Sequence, residues 1–365
     1  MIIVPVLRVL ACALAVLALA PQAAGAATSV KKGIWGPVRV DGVSQFPIYR
    51  ELGAGVFHTS FSWSDVAKTR PANPRDPADP AYQWKSTIDD AVKEAAANGL
   101  RVAVMVKGSP PWANGGRTKN WIPKRLADYA DFMYATARRY PSVRYWVAWG
   151  EPTRQANFMP LPVTRLGKPL TRSQKAAPHR YARLLDLAYG AIKRANPRAL
   201  VVGGNSFSSG DIGPVNWIKN LRLPSGRPPR MDLYGHNPFG ARRPDLSRRV
   251  ARRGTADFCD LDDVVRLVDR YIGRTPAGKR MDIWIGEYAI ATEPSEFGWY
   301  VSEATQASWL SSALRITRRN RRIATMNWLT LRDAPIVGDD EFPTSFGLIT
   351  QDGRRKPSFD AFARG

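Results

Sequence analysis

Cysteine and histidine are nearly missing from this chain: two cysteines, Cys12 and Cys259, and three histidines, His58, His179 and His236, serve 365 residues. No Cys or His pair falls at the spacing of a zinc site, so the sequence offers no metal centre and no cofactor motif. Cys12 sits in an N-terminal apolar segment. That leaves Cys259 alone, with no intrachain disulfide to form, and it reads as a small buried apolar residue. Acid is the second shortage, with 31 Asp and Glu against 54 Lys and Arg and a formal net charge of +23. Such a field attracts acidic polysaccharides, teichoic acids, anionic membranes and nucleic acid alike. The arginine runs Arg242-Arg243, Arg248-Arg249, Arg252-Arg253 and Arg318-Arg319-Asn320-Arg321-Arg322 carry no repeated aromatic interleaving. A specific nucleic-acid platform is therefore not expected, and a solvated surface is the simpler reading.

Long apolar runs are the third shortage. The N-terminal one, Val9 to Ala20, is shorter than the roughly 20 residues that span a bilayer. It follows the single charge of Arg8 and precedes Ala24-Gly25-Ala26. That is the pattern of a secretory signal peptide cut after Ala26. The expectation is a secreted, extracellular protein with no stable membrane insertion, made of a signal peptide over residues 1–26 and one domain over 27–365.

From Lys31 onward, β-branched or aromatic runs alternate with helical spacing. Strands are predicted at Gly33–Trp35, Gly55–Phe61, Arg101–Lys107, Val143–Trp149, Ala199–Gly203, Met231–His236, Met281–Gly286 and Ile323–Thr330. Between them, Ile88, Ala91, Val92 and Ala95; Leu126, Tyr129, Ala130 and Met133; Tyr181, Leu184, Leu185, Ala188 and Ile192; and Leu261, Val264, Val265, Val268 and Ile272 follow helical periodicity. Asn98-Gly99, Asn196-Pro197 and Pro276 are the expected stops for three of these helices. Eight strand–helix repeats predict an α/β fold, a (β/α)8 barrel of one domain with long loops after the strands, and a site at the strands' C-terminal ends.

Two glutamates end strand-like runs, Glu151 after Trp146-Val147-Ala148-Trp149-Gly150 and Glu287 after Ile283-Trp284-Ile285-Gly286. Burying an unpaired carboxylate costs several kcal/mol, so an apolar strand that ends on one is read as presenting it to a site. On the strand count these are strands four and seven, and both face one mouth. Trp146, Trp149, Trp284 and Tyr288 beside them are expected to offer flat faces for a sugar ring, although alternation favours a packing role for Tyr288.

Trp149-Gly150-Glu151-Pro152 and Trp284-Ile285-Gly286-Glu287-Tyr288 resemble the two active-site signatures of clan A glycoside hydrolases. Gly108-Ser109-Pro110-Pro111-Trp112, the run Asp232 to Phe239, Trp328 and the stretch Gly347 to Phe359 add to the likeness, which extends to the family 5 cellulase-like and family 39 xylosidase-like groups. The resemblance implies a retaining glycosidase in which Glu287 attacks the anomeric carbon and Glu151 acts as acid/base. It also implies a carbohydrate substrate, with anionic polysaccharide as one class. Gly150 departs from the pattern, since the family places there an asparagine that binds the sugar's 2-hydroxyl. Asn205 and Asn237 are the alternatives for that contact, with a turn role as the competing reading of each. His236 is a candidate for a sugar hydroxyl or the nucleophile, or else a hydrogen-bonded rim residue. Trp328 is a candidate sugar floor, and Trp112, Trp63 and Trp35 are candidate outer platforms. Arg154, Arg165, Lys168, Arg172 and Lys175, in the loop after strand four, are either readers of acidic groups or solvated charges. A non-catalytic carbohydrate-binding barrel and a transglycosylase are the alternative functions, and a scaffold for an anionic surface is the third.

Overall fold

The computed structural model describes residues 28–246, 254–295, 298–335 and 344–365. The expected signal peptide, Cys12, Arg248-Arg249 and Arg252-Arg253 lie outside the described residues. Eight parallel strands close into a barrel: β1 Ser29–Trp35, β2 Ala54–Ser62, β3 Arg101–Lys107, β4 Tyr145–Ala148, β5 Leu200–Phe207, β6 Leu233–Asn237, β7 Asp282–Tyr288 and β8 Ile323–Trp328. Strand β1 pairs with both β8 and β2, which completes the (β/α)8 ring. The principal helices follow in turn: α1 Phe46–Glu51, α2 Ser86–Ala97, α3 Leu126–Arg139, α4 Ala176–Ala195, α5 Pro214–Asn220, α6 Leu261–Tyr271, α7 Glu303–Arg319 and α8 Pro357–Arg364. A small hairpin, Arg39–Val40 with Val43–Ser44, stands outside the barrel.

Alternation along the strands divides the core in two. Ile34, Phe57, Val102, Val104, Trp146, Val201, Tyr234, Ile283, Ile285 and Met326 pack outward with the helices. Val56, Ala103, Met105, Tyr145, Val147, Val202, Leu233 and Trp284 fill the interior. This is the layered filling expected of a barrel core.

The expected strands are all present, with shifted ends. Strand β1 begins at Ser29 rather than Gly33 because Lys31 and Lys32, which look polar in sequence, are used at the floor. Lys31 Nζ donates to the carbonyls of Thr317, Asn320 and Ile323 at 3.3, 2.8 and 2.5 Å. Lys32 is buried beneath the Phe362 ring, 5.0 Å from its centroid. Helix α6 stops earlier than Pro276 predicts. Gly273 adopts φ +82° and its N–H closes on Val268 O at 2.9 Å, a left-handed end that glycine reaches without strain.

Candidate active site

The mouth is built from the C-terminal ends of β3 to β7. After Ala148, Trp149 and Glu151 have left-handed backbones, with φ of +71° and +37°, and Asn205 on β5 has +38°. Non-glycine residues in this region carry a cost of order 1–3 kcal/mol and gather at functional sites. The Trp149 ring anchors the turn from below: its Nε1 donates to Asn157 O at 2.8 Å, and its edge packs on Tyr129 and Phe158. Gly150 then faces inward, and Glu151 turns over the opening.

Glu151 is buried, at 6% exposure. Its Oε2 accepts from Arg154 Nη1 at 3.1 Å and Asn157 Nδ2 at 3.2 Å, and its Oε1 accepts from Asn237 Nδ2 at 2.8 Å. The other end of the same carboxamide, Asn237 Oδ1, accepts the backbone N–H of Glu287 at 3.0 Å. One amide therefore spans strands four and seven of the barrel. Its orientation is fixed chemically, because reversing it would set acceptor against carboxylate and donor against N–H. Glu287 itself is half-buried.

Strand β7 shifts register against β8 between the pairs Met326–Ile285 and Trp328–Tyr288. Ile285 and Tyr288 both pack on the helix side, with Gly286 and Glu287 between them. An irregularity of this kind re-aims a side chain beside a site. Gly286 has no room for a side chain: a Cβ there would stand 2.8 Å from Asn237 Oδ1 and 3.0 Å from Asn205 Oδ1. Its carbonyl accepts from Trp35 Nε1 at 2.9 Å. Asn205 Nδ2 donates to Trp149 O at 3.3 Å, while its buried Oδ1 has no partner. Asn205 and Asn237 are thus both at the mouth: Asn205 holds a left-handed backbone that asparagine tolerates, and Asn237 bridges to both glutamates.

The space that a side chain at Gly150 would fill is occupied from the neighbouring strand. A Cβ on Gly150 would meet Met105 Sδ at 2.6 Å and Cε at 3.2 Å, and Lys107 Cδ at 3.5 Å. Lys107 follows Met105 by two residues on β3, so it shares its inward face. Sequence reasoning missed Lys107, although strand parity from Met105 could have found it. The basic loop after β4 supplies Arg154 as the ion-pair partner of Glu151, at an i, i+3 spacing visible in the sequence.

Several aromatic expectations are corrected. Trp146, Trp149, Trp284 and Tyr288 are fully buried and offer no face to a sugar. Trp328, at 0% exposure, points outward: parity on β8 turns Asn327 in and Met326 and Trp328 out, so the indole packs against Tyr288 and donates to Phe346 O at 3.1 Å. Trp63 is buried against Phe132. Trp112 donates to Ala67 O at 2.8 Å, and the Arg70 guanidinium covers its ring at 4.4 Å. Trp112 and Trp35 are half-buried, and Trp35 lies on the inner wall, stacked on His58 at 3.9 Å.

His236 is corrected as well. It is fully buried on the helix side, between Ser206 Oγ at 2.9 Å and Ala256 O at 3.1 Å. A carbonyl can only accept, so Nε2 carries the proton and Nδ1 accepts from Ser206. Burial pushes its pKa down to about 4, against the pull of those two partners. His58, beneath Trp35, is pushed down to about 3 by burial. Among the described residues no cluster of His, Cys, Asp or Glu could hold a metal ion. No helix among them is long and apolar enough to cross a membrane.

No family model and no curated protein matches the chain. Solved structures do match. A family 39 glycoside hydrolase from the gut symbiont Bacteroides cellulosilyticus WH2 has a TM-score of 0.66 at 16% identity, over 92% of this chain and 63% of that one. A glucosidase from Croceicoccus marinus has 0.62 at 16%, over 93% and 67%. A monomeric beta-xylosidase from Caulobacter crescentus has 0.61 at 18%, over 93% and 68%. The chain spans about two thirds of the length of these proteins. What it has in common with them is the barrel fold.

Proposed function

We propose that this chain is a secreted retaining glycoside hydrolase in which Glu287 attacks the anomeric carbon, while Glu151 protonates the leaving oxygen and later activates water. The observation that carries the proposal is the Asn237 carboxamide, bonded at one end to the Glu151 carboxylate and at the other to the Glu287 backbone. Double displacement needs two carboxyl groups about 5 to 5.5 Å apart across one glycosidic bond. A bridge of one side chain between their strands supports that arrangement. Asn205 Oδ1, a buried acceptor without a partner beside Gly286, supports a polar role for this asparagine at the same mouth. The names of the neighbours, a glucosidase and a beta-xylosidase, support a glycoside as substrate.

The test is a screen of aryl glycosides and polysaccharides with the chain from Ala27 onward, followed by trapping with a 2-fluoro glycoside of the sugar found. The expected adduct maps to Glu287 by peptide mass. Glu287→Gln should abolish turnover, and Glu151→Gly should regain it with azide on substrates with good leaving groups. Full activity in either variant refutes the assignment. Export and cleavage after Ala26 belong to the same proposal, and N-terminal sequencing of the secreted protein should begin at Ala27.

A second reading, a barrel that binds carbohydrate without cleaving it, draws on the ion pair from Arg154 to Glu151 and on Gly150. Oligosaccharide affinity with neither turnover nor adduct is its signature. Transfer to an added sugar acceptor would identify the transglycosylase instead, since the covalent intermediate is common to both reactions.

A further inference from the structure

Helix α7 carries Arg315 and Arg319 one turn apart, and Arg321 follows in the turn that enters β8. With Arg243, from the segment after β6, and Arg322 they line a groove of about 800 Å³. Asp245 and Asp262 line it as well. Arg322 is committed to the fold: two nitrogens meet Asp269 at 2.8 Å each, and Nη2 donates to Met281 O at 2.6 Å. Arg243 rests on Ser312 Oγ at 3.3 Å. Arg315, Arg319 and Arg321 are exposed, and among the described residues no carboxylate pairs with any of them.

Other exposed arginines, Arg138, Arg180 and Arg183 among them, also have no acidic partner among the described residues; Arg315, Arg319 and Arg321 differ in lining one groove together. The helix dipole accounts for Arg319 in the last turn of α7 but not for Arg321 beyond it. Arg315 and Arg319, as like charges at i and i+4, cost the helix a few tenths of a kcal/mol.

We propose that this groove is a docking site for an acidic polysaccharide, a chain bearing sulfate or carboxylate groups at regular intervals. Guanidinium forks on successive turns match planar or tetrahedral anions two hydrogen bonds at a time. A nucleic acid fits less well, because among the described residues no aromatic side chain lines the groove for bases to stack on. The second half of α7 runs away from the mouth towards the start of β8, so the groove lies on the barrel's flank. A polymer held there leaves Glu151 and Glu287 uncovered. The proposal does not depend on either glutamate being catalytic.

The experiment compares binding of dextran sulfate and of neutral dextran to the full domain across a sodium chloride series. Two variants lose the same charge: Arg315→Gln/Arg319→Gln/Arg321→Gln in the groove, and Arg138→Gln/Arg180→Gln/Arg183→Gln on exposed positions of α3 and α4. The groove variant should bind dextran sulfate at least ten-fold more weakly at low salt, with the salt slope reduced by about 2 to 3, as three lost anion contacts require. The α3/α4 variant should keep both. Equal losses in the two variants would reduce the effect to net charge and overturn the site. Single-stranded DNA that binds as tightly as dextran sulfate, and loses as much in the groove variant, would overturn the assignment to polysaccharide. Circular dichroism and melting temperature check that both variants are folded.

Discussion

At the floor of the barrel, cations are set against backbone carbonyls; at the mouth, the Glu151 carboxylate is set against two side-chain amides and a guanidinium. Lys31 ties the end of α7 and the start of β8 together by donating to three of their carbonyls. Glu151 takes three donors of its own, yet its strand ends in left-handed backbone and its bridging asparagine leans on a second glutamate's N–H. The floor network closes helix and strand ends and spends no strain doing so. The mouth network holds strained residues in place around the Glu151 carboxylate and the Glu287 backbone, which is the arrangement expected where geometry serves a ligand rather than stability. Variants at the two ends should therefore separate activity from stability.

Trp328 and Asn237 give the largest separation. Trp328→Ala removes a fully buried indole from the outer core and should cost about 3–5 kcal/mol of stability. Against the glycoside found in the screen it should leave KM nearly unchanged for the protein that remains folded. Asn237→Ala should do the reverse: a drop in kcat of the order of 10²–10³, as when a single organising donor is removed from a catalytic site, with a smaller loss of melting temperature. A Trp328 variant that is fully stable but has lost sugar affinity would restore the sugar-floor reading. An Asn237 variant with normal kcat would remove the bridge from the mechanism.

These residues also mark how far the sequence could be read. Barrel, strand count and both glutamates were legible because alternating and helical periods, and apolar runs ending on acid, are local signals. The aromatic roles were not. Which face a tryptophan takes depends on strand parity, and parity is reset where β5 and β7 shift register against their neighbours. Trp328 could have been placed by counting from Met326, whereas the partners of Asn237 could not. Its bonds reach 86 and 50 residues along the chain, and only closure of the ring brings those strands together. Lys107 shares the inward face of Met105 by parity, but only the folded barrel brings its stem beside Gly150, so its place there was not legible.

Acid should expose a second contrast, between the buried histidines and the carboxylates. The pKa values of His58 and His236, about 3 and about 4, lie below the ordinary 6.5 because burial opposes their charged form. Between about 6.5 and 4 the unfolded chain takes up protons that the folded one refuses, so stability must fall as pH falls through that window. Each histidine contributes about 1.4 kcal/mol per pH unit at most. Urea midpoints at pH 7, 6 and 5 should decline in step. Imidazole proton shifts of the folded protein should stay flat to pH 5 for these two, while the shift of exposed His179 changes. Titration of either buried imidazole near 6.5 would remove the effect.

The smallest expected change tests the floor from the other side. Lys32 is nearly enclosed, and burial, with Arg318 nearby, holds its pKa down to about 8 from 10.5. Its folded value is the lower one, so the penalty for its charge is complete below about pH 8 and is relieved as pH rises towards 10.5. Lys32 Nζ has one carbonyl partner, Ala363 O at 3.2 Å, and an aromatic face, whereas Lys31 has three carbonyls. Lys32→Met keeps the apolar stem under Phe362 and removes the charge, a replacement of the kind that is often neutral or stabilising in a buried setting. Chemical denaturation should show a gain of about 1 kcal/mol at pH 7 that shrinks towards zero by pH 10.5. A loss at pH 7 would mean that the bond to Ala363 outweighs the desolvation, and the floor would then hold both lysines as structural clamps.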